Sequence, residues 1–197
     1  MRLSKKGEYA LRSLINLGIA GEVGRSLVQV SELAESELLP VKFLEQILQA
    51  LKEAGLVESA RGKFGGYRLA KPMKEITIGQ VVRLIDGPLA PIGCVSQSAY
   101  EKCTCPDEEH CGLRMLMLDV RNAIAGILDR YTLADVVEVT LRKLRRDGLP
   151  LPFSVERAAS GRDRLNLRAA RRLSGSANAR LDATEGVLHQ LLGDYSI

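Results

Sequence analysis

The chain holds only two histidines, His110 and His189, and no apolar run long enough to cross a bilayer. It also lacks a G-x-x-x-x-G-K-[ST] phosphate loop, a dinucleotide fingerprint and any nucleophile-base constellation. Catalysis is left without a residue to perform it, and no enzyme is expected. The N-terminal residues Met1-Arg2-Leu3-Ser4-Lys5-Lys6-Gly7 lack the apolar middle of a secretory signal, so a cytoplasmic protein with no membrane partner is expected. Cysteine is sparse as well, and all four, Cys94, Cys103, Cys105 and Cys111, fall in one short stretch. In a reducing compartment, thiols grouped in this way are more often metal ligands or redox groups than disulfides.

At 197 residues the chain suits one or two domains. The net charge of +4 is too modest to establish a nucleic-acid partner, but its distribution is uneven. Residues 1 to 87 carry 13 basic and 10 acidic side chains, whereas residues 88 to 150 carry 8 and 9.

Ala10, Leu11, Leu14, Ile15 and Gly18 recur at helical spacing and predict a first helix to about Ala20, ended by Gly21 and Gly24. Ser31 is the expected N-cap of a short second helix over Glu32, Leu33 and Ala34. Pro40 then opens a third helix, in which Leu44, Ile47, Leu48 and Leu51 form the buried stripe and Gly55 the stop. Two helices across a tight turn form the helix-turn-helix pattern. Leu56 to Ser59 and Tyr67 to Leu69 read as two strands around the glycine-rich tip Arg61-Gly62-Lys63-Phe64-Gly65-Gly66, which is a wing.

Off the apolar stripe, the third helix leaves Lys42, Phe43, Glu45, Gln46 and Gln49 to meet DNA. Gln46 suits an adenine edge, Glu45 a cytosine amino group and Lys42 a guanine or phosphate. On the wing, Arg61, Lys63 and Arg68 supply positive charge, and an arginine at the tip can enter a narrow minor groove. A further helix opens at Thr77, with Gln80 completing a capping box, and stops at Asp86-Gly87-Pro88, which places the end of the reader near residue 87.

The gaps between successive cysteines are eight, one and five residues, unlike the paired knuckles of a zinc ribbon. Thiolates are soft ligands, so the group suits an iron-sulfur cluster, with zinc in an irregular loop or a metal-free redox pair as alternatives. Cys103 and Cys105 are too close in sequence to bridge comfortably, so a disulfide would join one of the outer cysteines.

Lys5-Lys6-Gly7-Glu8-Tyr9-Ala10-Leu11-Arg12, Phe43 to Leu48, Ala54-Gly55-Leu56-Val57, Arg61-Gly62 and Gly65-Gly66-Tyr67-Arg68-Leu69 together resemble the bacterial Rrf2 family of regulators. The resemblance covers about residues 1 to 140. It implies a mainly helical chain with a small β-wing: a winged helix-turn-helix domain, then a cysteine loop, then a long helix that crosses its counterpart in a homodimer on a roughly palindromic operator of double-stranded DNA. It implies a [2Fe-2S] or [4Fe-4S] iron-sulfur cluster held by three loop cysteines, matched best by Cys94, Cys105 and Cys111, and a variable fourth ligand. The family's iron-sulfur assembly regulators use a histidine three residues after the last cysteine, where this chain has Arg114. Its nitric-oxide sensors recruit an early acidic residue, and Glu8 stands in the corresponding place. Cys103, Glu8 and His110 are therefore the candidate fourth ligands.

Independently, Leu113, Leu116, Met117, Val120, Ile124, Ile127 and Leu128 follow helical spacing and predict a long apolar-faced helix. Thr132 caps another helix reaching Leu144, and Gly148-Leu149-Pro150-Leu151-Pro152 breaks the pattern. The expected organisation is a DNA-binding domain over 1–87, a sensor loop with dimerisation helices over 88–147, and a flexible extension over 148–197. The leading reading is a homodimeric, nucleoid-associated transcription regulator that senses redox, nitric oxide or iron status. Against it stands a metal-clipped protein-binding module that leaves DNA alone.

Overall fold

The computed structural model of the chain describes residues 2–62 and 64–154. Among the described residues, six α-helices and one two-stranded sheet make a mainly helical fold: α1 (Lys5–Glu22), α2 (Val30–Glu37), α3 (Val41–Glu53), β1 (Val57–Ala60), β2 (Gly66–Leu69), α4 (Ile78–Asp86), α5 (Gly112–Arg130) and α6 (Leu133–Arg146). Among the described residues, no helix is long and apolar enough to cross a membrane.

α1 begins five residues earlier than its apolar stripe predicts, because Ser4 caps it and accepts a hydrogen bond from the Gly7 amide. Ser4 also bonds Asp86 at the far end of α4, so the start of one helix is tied to the end of another. α2 is capped by Gln29 rather than Ser31, with no side-chain bond at the cap, and runs to Glu37. The turn into α3 passes through Leu38 in the left-handed region (φ 57°) and closes with Leu39 N–H donating to Ala34. Pro40 sits just outside α3, one position before the place expected for it.

Leu44, Ile47, Leu48 and Leu51 of α3 are fully buried with Leu14 of α1 and Leu33 of α2. Each such side chain contributes roughly 1.5–3 kcal/mol of transfer free energy. Gly55 ends the helix with φ +68°, as a C-terminal stop requires.

β1 and β2 pair antiparallel, Val57 opposite Leu69 and Ala60 opposite Gly66. Val28 adds a single bridge on the other side of β2, exchanging backbone hydrogen bonds with Tyr67 at 3.0 and 2.8 Å. That contact needs Gly66, since a Cβ there would lie 2.5 Å from the Val28 carbonyl oxygen. The wing is thereby fastened to the segment leading into α2.

Thr77 caps α4, its hydroxyl accepting from the Gln80 amide, and Thr132 caps α6 in a capping box with Asp135. The two caps meet in a backbone bridge, in which Ile78 N–H donates to Tyr131 and Leu133 N–H to Ile76. α6 then lays Leu133, Val137 and Leu141 into the same core as α1, and Phe153 joins them after the helix ends. The core therefore does not stop at residue 87, and α6 packs with the reader. The remainder of the expected extension, residues 155–197, lies outside the described residues.

α5 differs from the others in having no fully buried residue. Its apolar positions split into two neighbouring stripes. Met117, Ile124 and Leu128 are half-buried, while Leu113, Leu116, Val120 and Ile127 are exposed. Arg83 of α4 holds Asp129 of α5 through two hydrogen bonds of 2.5 and 2.8 Å.

Candidate nucleic-acid interface and thiol site

On α3, Lys42, Glu45, Gln46 and Gln49 are all exposed on the side away from the core. Phe43 is not part of that open face. It is half-buried and packs edge-on against Tyr9 of α1, ring centroids 6.0 Å apart, because its ring gains more from the core than from water. Gln49 donates to Glu53 at 2.8 Å. On the wing, Arg61 is exposed, and Arg68 is ion-paired with its cross-strand neighbour Glu58 at 2.5 Å. Lys63 lies outside the described residues. Between the start of α2 and the wing runs an open cleft of about 410 Å³, lined by Gln29, Ser31, Arg61 and the backbone of Gly65 and Gly66. Sequence reading missed the most exposed aromatic of the wing, Phe64, which is 82% exposed beside the tip.

The four thiols are carried by three local structures. Cys94 lies in a single 3-10 turn, Gly93–Val95, and is buried. Cys103 and Cys105 lie on the irregular segment that follows, half-buried and exposed. Cys111 is the N-cap of α5, with no side-chain capping bond, so it stands at the positive end of the helix dipole.

The fold sets Cys94 beside Cys103, and Cys105 against Cys103 and Cys111, without bringing all four sulfurs into one group. Cys94 and Cys103 lie with the Glu108 carboxylate so that the three donor atoms are within 4.8 Å of one another. Hydrogen bonding to Cys103, with Cys111 also contributing, pushes the Cys105 thiol up to about 11. Burial raises the Cys94 thiol, and Cys103 and Glu108 add to the effect while Arg114 opposes it.

The other two candidate fourth ligands stand apart from this group. Glu8 is exposed on α1 and ion-paired with Lys5 at 2.7 Å and Arg12 at 3.5 Å; the hydrogen bond from Lys5 holds its carboxyl below the usual range. His110 is exposed and its Nδ1 lies 2.8 Å from Asp107. Sequence reading missed Glu108. No signal in the spacing marked it; in the fold, Arg114 Nε lies 3.3 Å from its carboxylate.

Comparison with known proteins gives one consistent picture. Residues 3–139 match the Rrf2 profile, described as an iron-dependent transcriptional regulator. A protein of Rhodobacter capsulatus described as an rrf2-like HTH-type transcriptional regulator is 40% identical over 139 residues, covering 68% of this chain and 91% of its own length. Among solved structures, CymR, the global cysteine regulator of Bacillus subtilis, superposes with a TM-score of 0.57 at 31% identity, over 70% of this chain and 97% of that one. IscR of T. potens superposes with a TM-score of 0.52 at 27% identity, over 70% of this chain and 87% of that one.

Proposed function

Since the chain belongs to the Rrf2 family of DNA-binding transcription regulators, we propose that it acts in the cytoplasm as a homodimer on a roughly palindromic operator and senses iron, redox or nitric-oxide status through an iron-sulfur cluster. The carrying observation is the convergence of the cysteines at the start of α5, the helix whose exposed stripe is left for a second copy.

Cys94, Cys105 and Cys111 hold the cluster in this reading, with Cys103, which lies against Cys94 and Cys105, as the fourth donor from the same chain. When bound, the cluster supplies an iron centre sensitive to oxidation and to iron supply. This chain's residues do the rest. Ligation orders residues 94 to 111 against the N-terminus of α5, and Arg83–Asp129 passes a shift of α5 to α4. α4 packs on α1, which carries α3, so the spacing of two recognition helices follows. Gln46, Glu45 and Lys42 read the major groove, while Arg61 and Lys63 approach the backbone or minor groove.

The test is anaerobic purification with a visible spectrum and iron, sulfide and zinc analysis, beside a Cys94, Cys105 and Cys111 triple-alanine variant, followed by operator binding of both. Brown protein with iron and sulfide, lost in the variant together with the response of DNA binding, supports the reading. Iron-free protein that still responds to oxidant favours the second reading, a metal-free thiol switch, for which the contact of Cys105 with the outer cysteine Cys111 is the supporting observation.

A further inference from the structure

Glu108 has a carboxylate only partly occupied by its protein neighbours. The Tyr100 hydroxyl lies 2.9 and 2.8 Å from its two oxygens, but one hydroxyl brings one proton and occupies at most one of about four lone-pair positions. Arg114 approaches with Nε alone, at 3.3 Å, and the same nitrogen is 3.3 Å from the Cys94 carbonyl oxygen. A guanidinium satisfying a carboxylate does so as a fork, at about 2.7–2.9 Å. Here it is shared and distant.

The remaining lone pairs belong to an oxygen within 4.8 Å of both the Cys94 and Cys103 sulfurs. Donors to one metal centre must lie within a few ångströms of one another, and these three already do. A carboxylate ligand is itself expected to be held by hydrogen bonds from residues behind it, and Tyr100 and Arg114 occupy those positions.

We propose that Glu108 is a protein ligand of the metal centre, donating a carboxylate oxygen beside Cys94 and Cys103, with Tyr100 and Arg114 as its positioning residues. This rests on the reading of the thiol group as a metal site and deepens it. Arg114 has no lone pair to offer a metal at its own position and instead leans its guanidinium on the Glu108 carboxylate. Five donors then surround a centre that needs four, so the carboxylate and one thiolate compete for a position, which gives the centre an exchangeable ligand.

The experiment titrates the metal-free, reduced full-length protein with cobalt(II), whose absorption bands report both affinity and the number of sulfur donors. Glu108→Gln preserves the shape and the hydrogen bonds to Tyr100 but donates poorly to a metal. It is expected to weaken cobalt binding at least tenfold and shift the visible bands, while Cys94→Ser lowers the sulfur-to-cobalt charge-transfer intensity. Tyr100→Phe and Arg114→Gln should each weaken binding about 10–100-fold while leaving the band positions of the wild type, the mark of a positioning role. Wild-type affinity and an unchanged spectrum in folded Glu108→Gln would overturn the assignment of Glu108 while the metal site stands. If the wild type takes up neither cobalt nor iron, the metal-centre reading itself fails, and this inference with it.

Discussion

Replacing Leu116 and Ile127 of α5 by aspartate tests whether the exposed stripe is a dimer seam. Leu113, Leu116, Val120 and Ile127 are 58%, 56%, 37% and 57% exposed, so about two side chains' worth of apolar surface remains uncovered on each copy. At roughly 1.5–3 kcal/mol for a full side chain, covering the stripe in two copies gives about 6–12 kcal/mol before the cost of association, which is about 4–15 kcal/mol. The double variant removes half of that surface, a loss of about 3–6 kcal/mol, and adds carboxylates that would be desolvated facing one another. The dimer dissociation constant should rise at least a hundredfold. Analytical ultracentrifugation from about 0.1 to 100 μM reads this, with fluorescence anisotropy on operators of one and two half-sites reading the effect on DNA. The substituted side chains lie off the core, so the helical circular dichroism of the monomer should be kept. A folded variant that stays dimeric at 1 μM and binds the full operator as before would refute the seam.

Gly66→Ala should push the wing from Val28, destabilise the fold by about 1–3 kcal/mol in urea titrations and weaken DNA binding although no DNA-facing side chain has changed. Arg61→Ala should weaken binding across all sequences and reduce the salt slope by about one, whereas Gln46→Ala should relax preference at one base pair by about 1–3 kcal/mol in competition assays. Hydrogen bonding from Arg83 holds the Asp129 carboxyl below its usual range, so the pair contributes above pH ~4 and its contribution is lost as pH falls through the folded-state value. Because both groups are substantially exposed, the difference in urea stability between wild type and Asp129→Asn should be about 0.2–1 kcal/mol at pH 7 and shrink as the carboxyl is protonated in acid. With its thiol pushed up to about 11, Cys105 of the metal-free protein should alkylate slowly at pH 7.5 and much faster at pH 10, and Cys103→Ser should speed the neutral reaction.

The reader was legible because its signals are local. The spacing of Leu44, Ile47, Leu48 and Leu51 and the capping threonines Thr77 and Thr132 state their roles within one or two helical turns. Phe43 was misplaced because a residue at the border of an apolar stripe faces core or solvent according to what α1 presents, and Tyr9 is distant in sequence. On α5 the period revealed an apolar helix but could not separate the half-buried side from the open one, since both stripes repeat with the same steps. Glu108 was hidden for a similar reason: its place beside Cys94 and Cys103 depends on how residues 94 to 111 fold back, and spacing alone cannot express that.

The bridge between Thr77 and Thr132 joins the start of α4 to the end of α5, so residues 78 to 131 run out and return to one place. The loop and α5 are then a cassette clamped at both ends. A segment of another length, with other donors, could be spliced between the end of α4 and Thr132 while α1, α3, α4 and α6 keep their packing. The helices that hold α3 and the segment that carries the thiols can thus diversify separately along one continuous chain.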